Sequence, residues 1–259
     1  MEDQMLLVVL AALTGLGLLI AGLFQRARAS SFSSLPRREP GEVRNGERAV
    51  VGGSAASPVQ LSSPVTGTPC VFYLERVEKM DPSGETGGVS SSRNWSIVAV
   101  NPYGCFYVRD GGGSALVFPT YRSLSLARPE IEDGADLLAV PGTVRRFENL
   151  IEADGPLTVI GTPRPLSDLM AWLRSGVDVK LPADAVERLA AMERDPAACA
   201  TPCFFGDGVE AVADRGPEEF LAGRASSSAI MIQLGALLLA GAIAAAVYVL
   251  KFNADLPQP

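Results

Sequence analysis

Residues 61–79 read LSSPVTGTPCVFYLERVEK. Pro64 presets φ and Gly67 permits a positive φ, so SPVTG specifies a turn. The five residues that start at Cys70, CVFYL, are apolar on both faces of an extended chain, whereas ERVEK is mostly charged. The stretch therefore predicts a strand that begins inside a β structure and emerges from it, with Cys70, Phe72 and Leu74 directed into the core.

Upstream of the turn, residues 47–51 predict a first strand, the Gly52 and Gly53 pair a turn, and residues 59–61 a short second strand. Downstream, a hydrophilic segment over 80–94 predicts a hairpin loop. It leads into the alternating WSIVAV (95–100), a tight turn at NPYG (101–104), CFYVR (105–109), a second turn at DGGG (110–113) and SALVF (114–118). Three strands joined by short turns predict a meander, which curls a sheet and hides its edges. Residues 155–163 predict a further strand and residues 203–214 a final pair. Two helices are expected between them: SDLMAWLRSG, with Ser167 as N-cap and Gly176 as stop, and LPADAVERLAAME, with Pro182 in its first turn. From Pro217, PEEFLAGRA predicts a short helix with acids in its first turn.

Two stretches lie outside this β-rich region in character. Residues 5–24 and 229–250 are free of charge, and Gln233 is the most polar member of the second. Each is long enough, at about 1.5 Å per residue, to cross a hydrocarbon core of about 30 Å. The opening MEDQ has two acids and no basic residue, so it does not read as the n-region of a signal peptide. The expected organisation is a transmembrane helix over 5–24, a Ser-, Pro- and Arg-rich linker over 25–46, a β-rich domain over 47–222 with a helical insertion near 166–195, and a transmembrane helix over 229–250. Arg26, Arg28, Arg37, Arg38 and Arg44 follow the first run, and Arg215 and Arg224 precede the second, so the basic flanks place the central domain in the cytoplasm.

The 259 residues contain 29 acidic and 22 basic side chains, an excess that excludes the basic footprint of nucleic-acid binding. There is no histidine. That removes Ser-His-Asp and Cys-His nucleophiles, HExxH metalloproteases and mixed Cys/His zinc sites. The four cysteines are Cys70, Cys105, Cys199 and Cys203. Cys199 and Cys203, in CATPC, could supply two thiolates to a metal that Cys70 and Cys105 would complete; the alternative is that these are buried core thiols. DGGG could form an anion-binding nest, but the flanking strands favour a hairpin turn. Arg145 and Arg146 read as a solvated face, and no carboxylates pair at a spacing that marks an acid and a base. No catalytic residue and no cofactor are expected.

The order of these pieces resembles a known arrangement. SPVTGTPCVFYLERVE, VRDGGGSALVFP (108–119), LTVIGTP (157–163) and VADRGPEEFLAG (212–223) are similar, in this order, to motifs of the GIDE family, also called the BAM or "beside a membrane" domain. The resemblance covers most of residues 46–250. It implies a membrane-anchored, β-rich α+β fold: a partly open small β-barrel between two transmembrane helices. In the mitochondrial E3 ubiquitin ligases of that family a RING finger follows the second span and the domain faces the intermembrane space. Here no Cys or His follows residue 203 in the sequence, so a cross-braced zinc site is not expected in residues 251–259. Prokaryotic members lack the RING, have no assigned reaction and are described alongside LemA-type membrane proteins. The expected function is thus a non-enzymatic protein-interaction module. Its expected partners are the lipid bilayer and a membrane protein of LemA-like kind. The small residues of the two runs, among them Gly15, Gly22, Gly235 and Gly241, would pack the runs on each other or, alternatively, join copies into a homo-oligomer. The second reading is a ligase-like component that borrows its chemistry from a partner.

Overall fold

A computed structural model describes residues 2–80, 95–126, 131–133, 144–177 and 180–254. The hydrophilic loop expected after Met80 lies outside the described residues. The chain forms two compact units, one of Leu35–Pro217 and one of Met1–Ser34 with Glu218–Pro259. In chain order, helix α1 (Glu2–Ser33) precedes strands β1 (Arg37–Arg38), β2 (Ala49–Ala56), β3 (Leu61–Ser62), β4 (Pro69–Cys70), β5 (Phe72–Met80) and β6 (Trp95–Tyr103). Next come β7 (Phe106–Arg109), β8 (Ser114–Val117), β9 (Ile131–Asp133), β10 (Val144–Ile151), β11 (Pro156–Gly161) and β12 (Arg164–Pro165). Helices α2 (Leu166–Arg174) and α3 (Ala183–Glu193) follow, then β13 (Pro202–Phe204), β14 (Val209–Ala213) and helix α4 (Pro217–Ala254).

The fold is α+β with mixed sheets. An eight-stranded sheet runs β12-β13-β8-β7-β2-β11-β14, with β1 also against β2; a four-stranded sheet runs β6-β5-β10-β9; β3 and β4 form a short ladder. Among the described residues no sheet closes on itself.

The apolar runs explain the layering. Along β7 and β8 the side chains alternate between two cores, as a period of two requires. Phe106, Val108, Ala115 and Val117 enter the main core, with Val51, Phe72, Leu74, Leu157, Val159 and Phe204. Leu116, Phe118, Cys203 and Phe205 point the other way and meet Leu166 and Leu169 of α2 and Leu189 of α3. The centre of the sheet is therefore covered on both faces, which is why SALVF is almost continuously apolar.

Several boundaries differ from the sequence reading. Gly52 and Gly53 lie inside β2 and make no turn: a methyl on Gly53 would sit 2.5 Å from the Arg109 carbonyl oxygen, so glycine is needed for the close approach of β7. The expected meander is absent, because β6 pairs with β5 whereas β7 pairs with β2 and β8. The chain changes sheets at Gly104, whose φ of +97° and N–H bond to the Lys180 carbonyl redirect it. Ser167 is not the cap of α2; Pro165 holds that position, and the left-handed Gly176 follows the helix as expected.

In the helical unit, α1 continues past residue 24 to Ser33, and β1 follows, so the expected linker over 25–46 contains a helix end and a strand. The short helix at Pro217 and the second apolar run form one continuous helix, α4. Met5–Ser33 and Pro217–Val249 are each long and apolar enough to cross a membrane. The two helices meet at small residues: a methyl on Gly15 would lie 3.0 Å from the Gly235 carbonyl oxygen.

Candidate functional site

Cys199 and Cys203 do not converge. The Cys199 thiol donates to the Glu193 carbonyl (3.4 Å) and the Cys203 thiol to the Thr201 carbonyl (3.3 Å). Cys203 is fully buried in the second core, with Cys105 packed against the same cluster. Burial pushes the Cys105 thiol up to about 12, and burial together with Cys105 pushes Cys203 to about 12. Cys70, also fully buried, is pushed up to about 11 by burial and by the nearby Glu148 carboxylate. These three thiols are protonated core groups, poor as nucleophiles and as metal ligands. Among the described residues no three Cys, Asp or Glu side chains gather as a metal site.

The turn of the opening stretch is held from below by a carboxylate that sequence reading did not single out. Glu148, on β10 and only 1 % exposed, accepts hydrogen bonds from the Ser63 hydroxyl (3.0 Å), the Thr66 hydroxyl (2.5 Å) and the Val65 backbone N–H (2.9 Å). Gly67 takes the positive φ, +69°, that the turn requires. Each of these three bonds comes from the turn, so the carboxylate builds the loop. The DGGG segment is likewise a hairpin turn: the Asp110 carboxylate accepts the N–H groups of Gly112 (2.8 Å) and Gly113 (3.0 Å), leaving those amides no anion to bind.

Arg145 departs from the solvated-face expectation. Its guanidinium donates to the buried Glu78 carboxylate through Nε (2.8 Å) and Nη2 (2.6 Å) and lies over Trp95 and Phe147, at 4.1 and 4.9 Å from the ring centres. Arg76 adds a second guanidinium to the same carboxylate and stacks on Phe147 at 4.3 Å. This cluster pins β5 to β10 and β6. Arg146, on the other face, is 53 % exposed and only loosely paired with Glu75, in keeping with the sequence reading. No alternation of apolar and polar residues advertises β10, because VRRFENLI places charges on both faces and satisfies them by pairing.

The four-stranded sheet that this cluster supports ends at β6. Strand β6 has nine residues and pairs with β5 alone, apart from one bridge between Tyr103 and Lys180 at its end. Over 95–102 its outer row of backbone N–H and C=O groups has no strand beside it among the described residues. Ile97 is 51 % and Val98 56 % exposed, and they sit at a bulge: Ala99 pairs with Val77 and Ile97 with Glu78, so Val98 is the extra residue. Long apolar edges of this kind are templates for a further strand, and proteins normally blunt them with Lys, Pro or a bulge. On β6 such features are Pro102 and the bulge at Val98, and the side chains of Ile97 and Val98 are exposed at that bulge.

Comparison of the chain with protein-family models, curated proteins and solved structures gives no match in any of the three.

Proposed function

We propose that the chain is a membrane-anchored, non-enzymatic interaction module of the GIDE/BAM type, which holds its β-rich unit beside a bilayer and binds a protein partner by strand addition at β6. The observation that carries the reading is the edge of β6, which has no strand beside it over 95–102 among the described residues and exposes Ile97 and Val98, on a sheet tied together by the Arg76–Glu78–Arg145 cluster. The partner that fits is an extended segment with apolar side chains placed to meet Ile97 and Val98 beside the bulge. Support for the bilayer comes from the outward surfaces of α1 and α4, where Leu7, Leu13, Phe24, Leu237 and Val247 are all exposed. The two open sheets correspond, in this reading, to the partly open barrel of that family, and the unit lies on the cytoplasmic side.

The test is a photo-crosslinking amino acid placed at position 97 or 98 of the full-length protein in cells. A discrete crosslinked protein is expected at these two positions and not at the equally exposed position 186, and Val98→Lys should abolish it when the probe sits at 97. Equal crosslinking at 97, 98 and 186, or turnover by the purified protein on peptide, lipid or nucleotide substrates, would overturn the reading. The second reading, a ligase-like component, rests on the family resemblance; it gains only if the crosslinked protein itself carries a RING or a ubiquitin-like fold.

A further inference from the structure

Helices α1 and α4 run antiparallel along one seam: Gly15 meets Gly235, Gly22 meets Met231 and Ile232, and Phe32 meets Phe220 with ring centres 6.5 Å apart. Followed along this seam, Arg28 of α1 comes opposite Arg224 of α4. Both guanidinium groups lie against the same ring, at 5.6 and 5.8 Å from the centre of Phe32, and Arg224 is also 5.0 Å from the centre of Phe220. Phe32 and Phe220 are 1 % and 0 % exposed, so the ring pair is a fixed bed for two cations.

Arg28 is exposed and makes no hydrogen bond or ion pair among the described residues, and Arg224 is half-buried. Gathering two like charges at one ring costs repulsion that a bound anion relieves. Their depth identifies the anion. The charge-free runs end at Phe24 and begin again at Ala229, so Arg28 stands four residues beyond the first run and Arg224 five residues before the second. At about 1.5 Å per residue both lie about 6–8 Å outside the apolar runs. The polar layer on each side of a bilayer occupies about the same 5–8 Å beyond its hydrocarbon core. With α1 and α4 as spans, which is the reading proposed above and on which this inference rests, the two guanidinium groups stand at the level of lipid phosphates.

We infer that Arg28 and Arg224, on their bed of Phe32 and Phe220, bind the phosphate of an anionic phospholipid in the leaflet at the C-terminal end of α1. Guanidinium forks match phosphate oxygens, and the stacked rings fix the planes of the forks. A choline lipid carries the same phosphate together with a quaternary ammonium, which two neighbouring cations repel. Selection is therefore for headgroups of net negative charge.

The experiment places the full-length protein in phosphatidylcholine nanodiscs that contain a small, equal fraction of phosphatidylglycerol or phosphatidylcholine bearing a diazirine close to the glycerol. Adducts are mapped after illumination with a protease that does not cut at arginine. The phosphatidylglycerol probe is expected to label residues 24–32 and 220–228 at least about tenfold more than the phosphatidylcholine probe. Arg28→Gln and Arg224→Gln should each cut that preference about fivefold, and the two together should abolish it. Arg26→Gln removes an equal charge from an exposed position of the same helix that has no ring contact among the described residues, and should leave the preference intact. Equal labelling by the two probes, or an equal loss of preference on Arg26→Gln, would overturn the site. The spans would still stand in that case, because phosphatidylcholine labelled at its chain end would continue to mark Leu13 and Leu237. Absence of adducts from every probe would remove the spans and the site together. Loss of the phosphatidylglycerol adducts on adding inorganic phosphate at constant ionic strength would assign the arginines to a soluble anion and overturn the proposal as well.

Discussion

Replacing Glu148 by alanine removes three accepted hydrogen bonds at once and leaves the Val65 N–H and the Ser63 hydroxyl inside a partly closed turn without their acceptor. Bonds to a charged group contribute about 1.5–3 kcal/mol each, but they are not additive and water can enter the loosened turn. Glu148→Ala is therefore expected to destabilise by about 2–4 kcal/mol, and Glu148→Gln, which keeps an acceptor oxygen, by about half as much. Chemical denaturation of the full-length protein, followed by tryptophan fluorescence, checks this. Equal stability of the alanine variant would show that the turn holds itself. The sequence made one side of this contact readable and hid the other. Pro64, Gly67 and the buried Cys70, Phe72 and Leu74 follow from local rules about turns and strands. Glu148 lies 85 positions from Ser63, and nothing local distinguishes it from the other carboxylates of an acidic chain. Arg145 was hidden for the same reason, since its partner Glu78 is 67 positions away.

Strands that read as short apolar runs bounded by turns, such as β8 and β11, were visible as strands, whereas β10 was not, because its polar residues are satisfied by cross-strand partners instead of by solvent. Helices were easier: the long apolar runs of α1 and α4 admit little else, and only their ends were misjudged. How the two runs pack is also partly legible, since glycines within apolar helices permit close approach. The contact can be tested by disulfide formation. A Cβ built on Gly22 lies 3.1 Å from the Cβ of Met231, somewhat inside the usual range of about 3.5–4.5 Å for a disulfide and correctable by a small shift. Gly22→Cys combined with Met231→Cys, in a Cys199→Ala background, is expected to oxidise to an intramolecular bond that speeds migration of the unreduced monomer on a denaturing gel. A dimer band in place of the shifted monomer would mean that the small-residue faces join copies of the chain, and the intramolecular packing would be wrong.

The order of strands in the sheets was the least legible feature. β13 pairs in parallel with β8, and β11 pairs with both β2 and β14, so the eight-stranded sheet is held together by pairings between strands far apart in sequence. A rule of short connections therefore led to a meander that the fold does not contain. The sidedness of the protein is different, because it depends on charge counts that the sequence states directly. Arg26 and Arg28 follow the first apolar run within α1, Arg224 precedes the second within α4, and Lys251 alone marks the far side, where Glu2 and Asp3 also lie. Basic residues near the ends of a span resist translocation and acids contribute little, so the β-rich unit is expected on the cytoplasmic side even though the loop between the spans is long. Val186, half exposed on α3, offers a reporter position. Val186→Cys, again with Cys199→Ala, is expected to resist a membrane-impermeant maleimide in intact cells and to react fully after permeabilisation. The three remaining thiols are buried or protonated up to about pH 11–12 and should add little background. Labelling before permeabilisation would put the unit outside, as in the mitochondrial ligases. The arginines at the ends of α1 and α4 would then face the outer leaflet, against the direction in which such charges are retained.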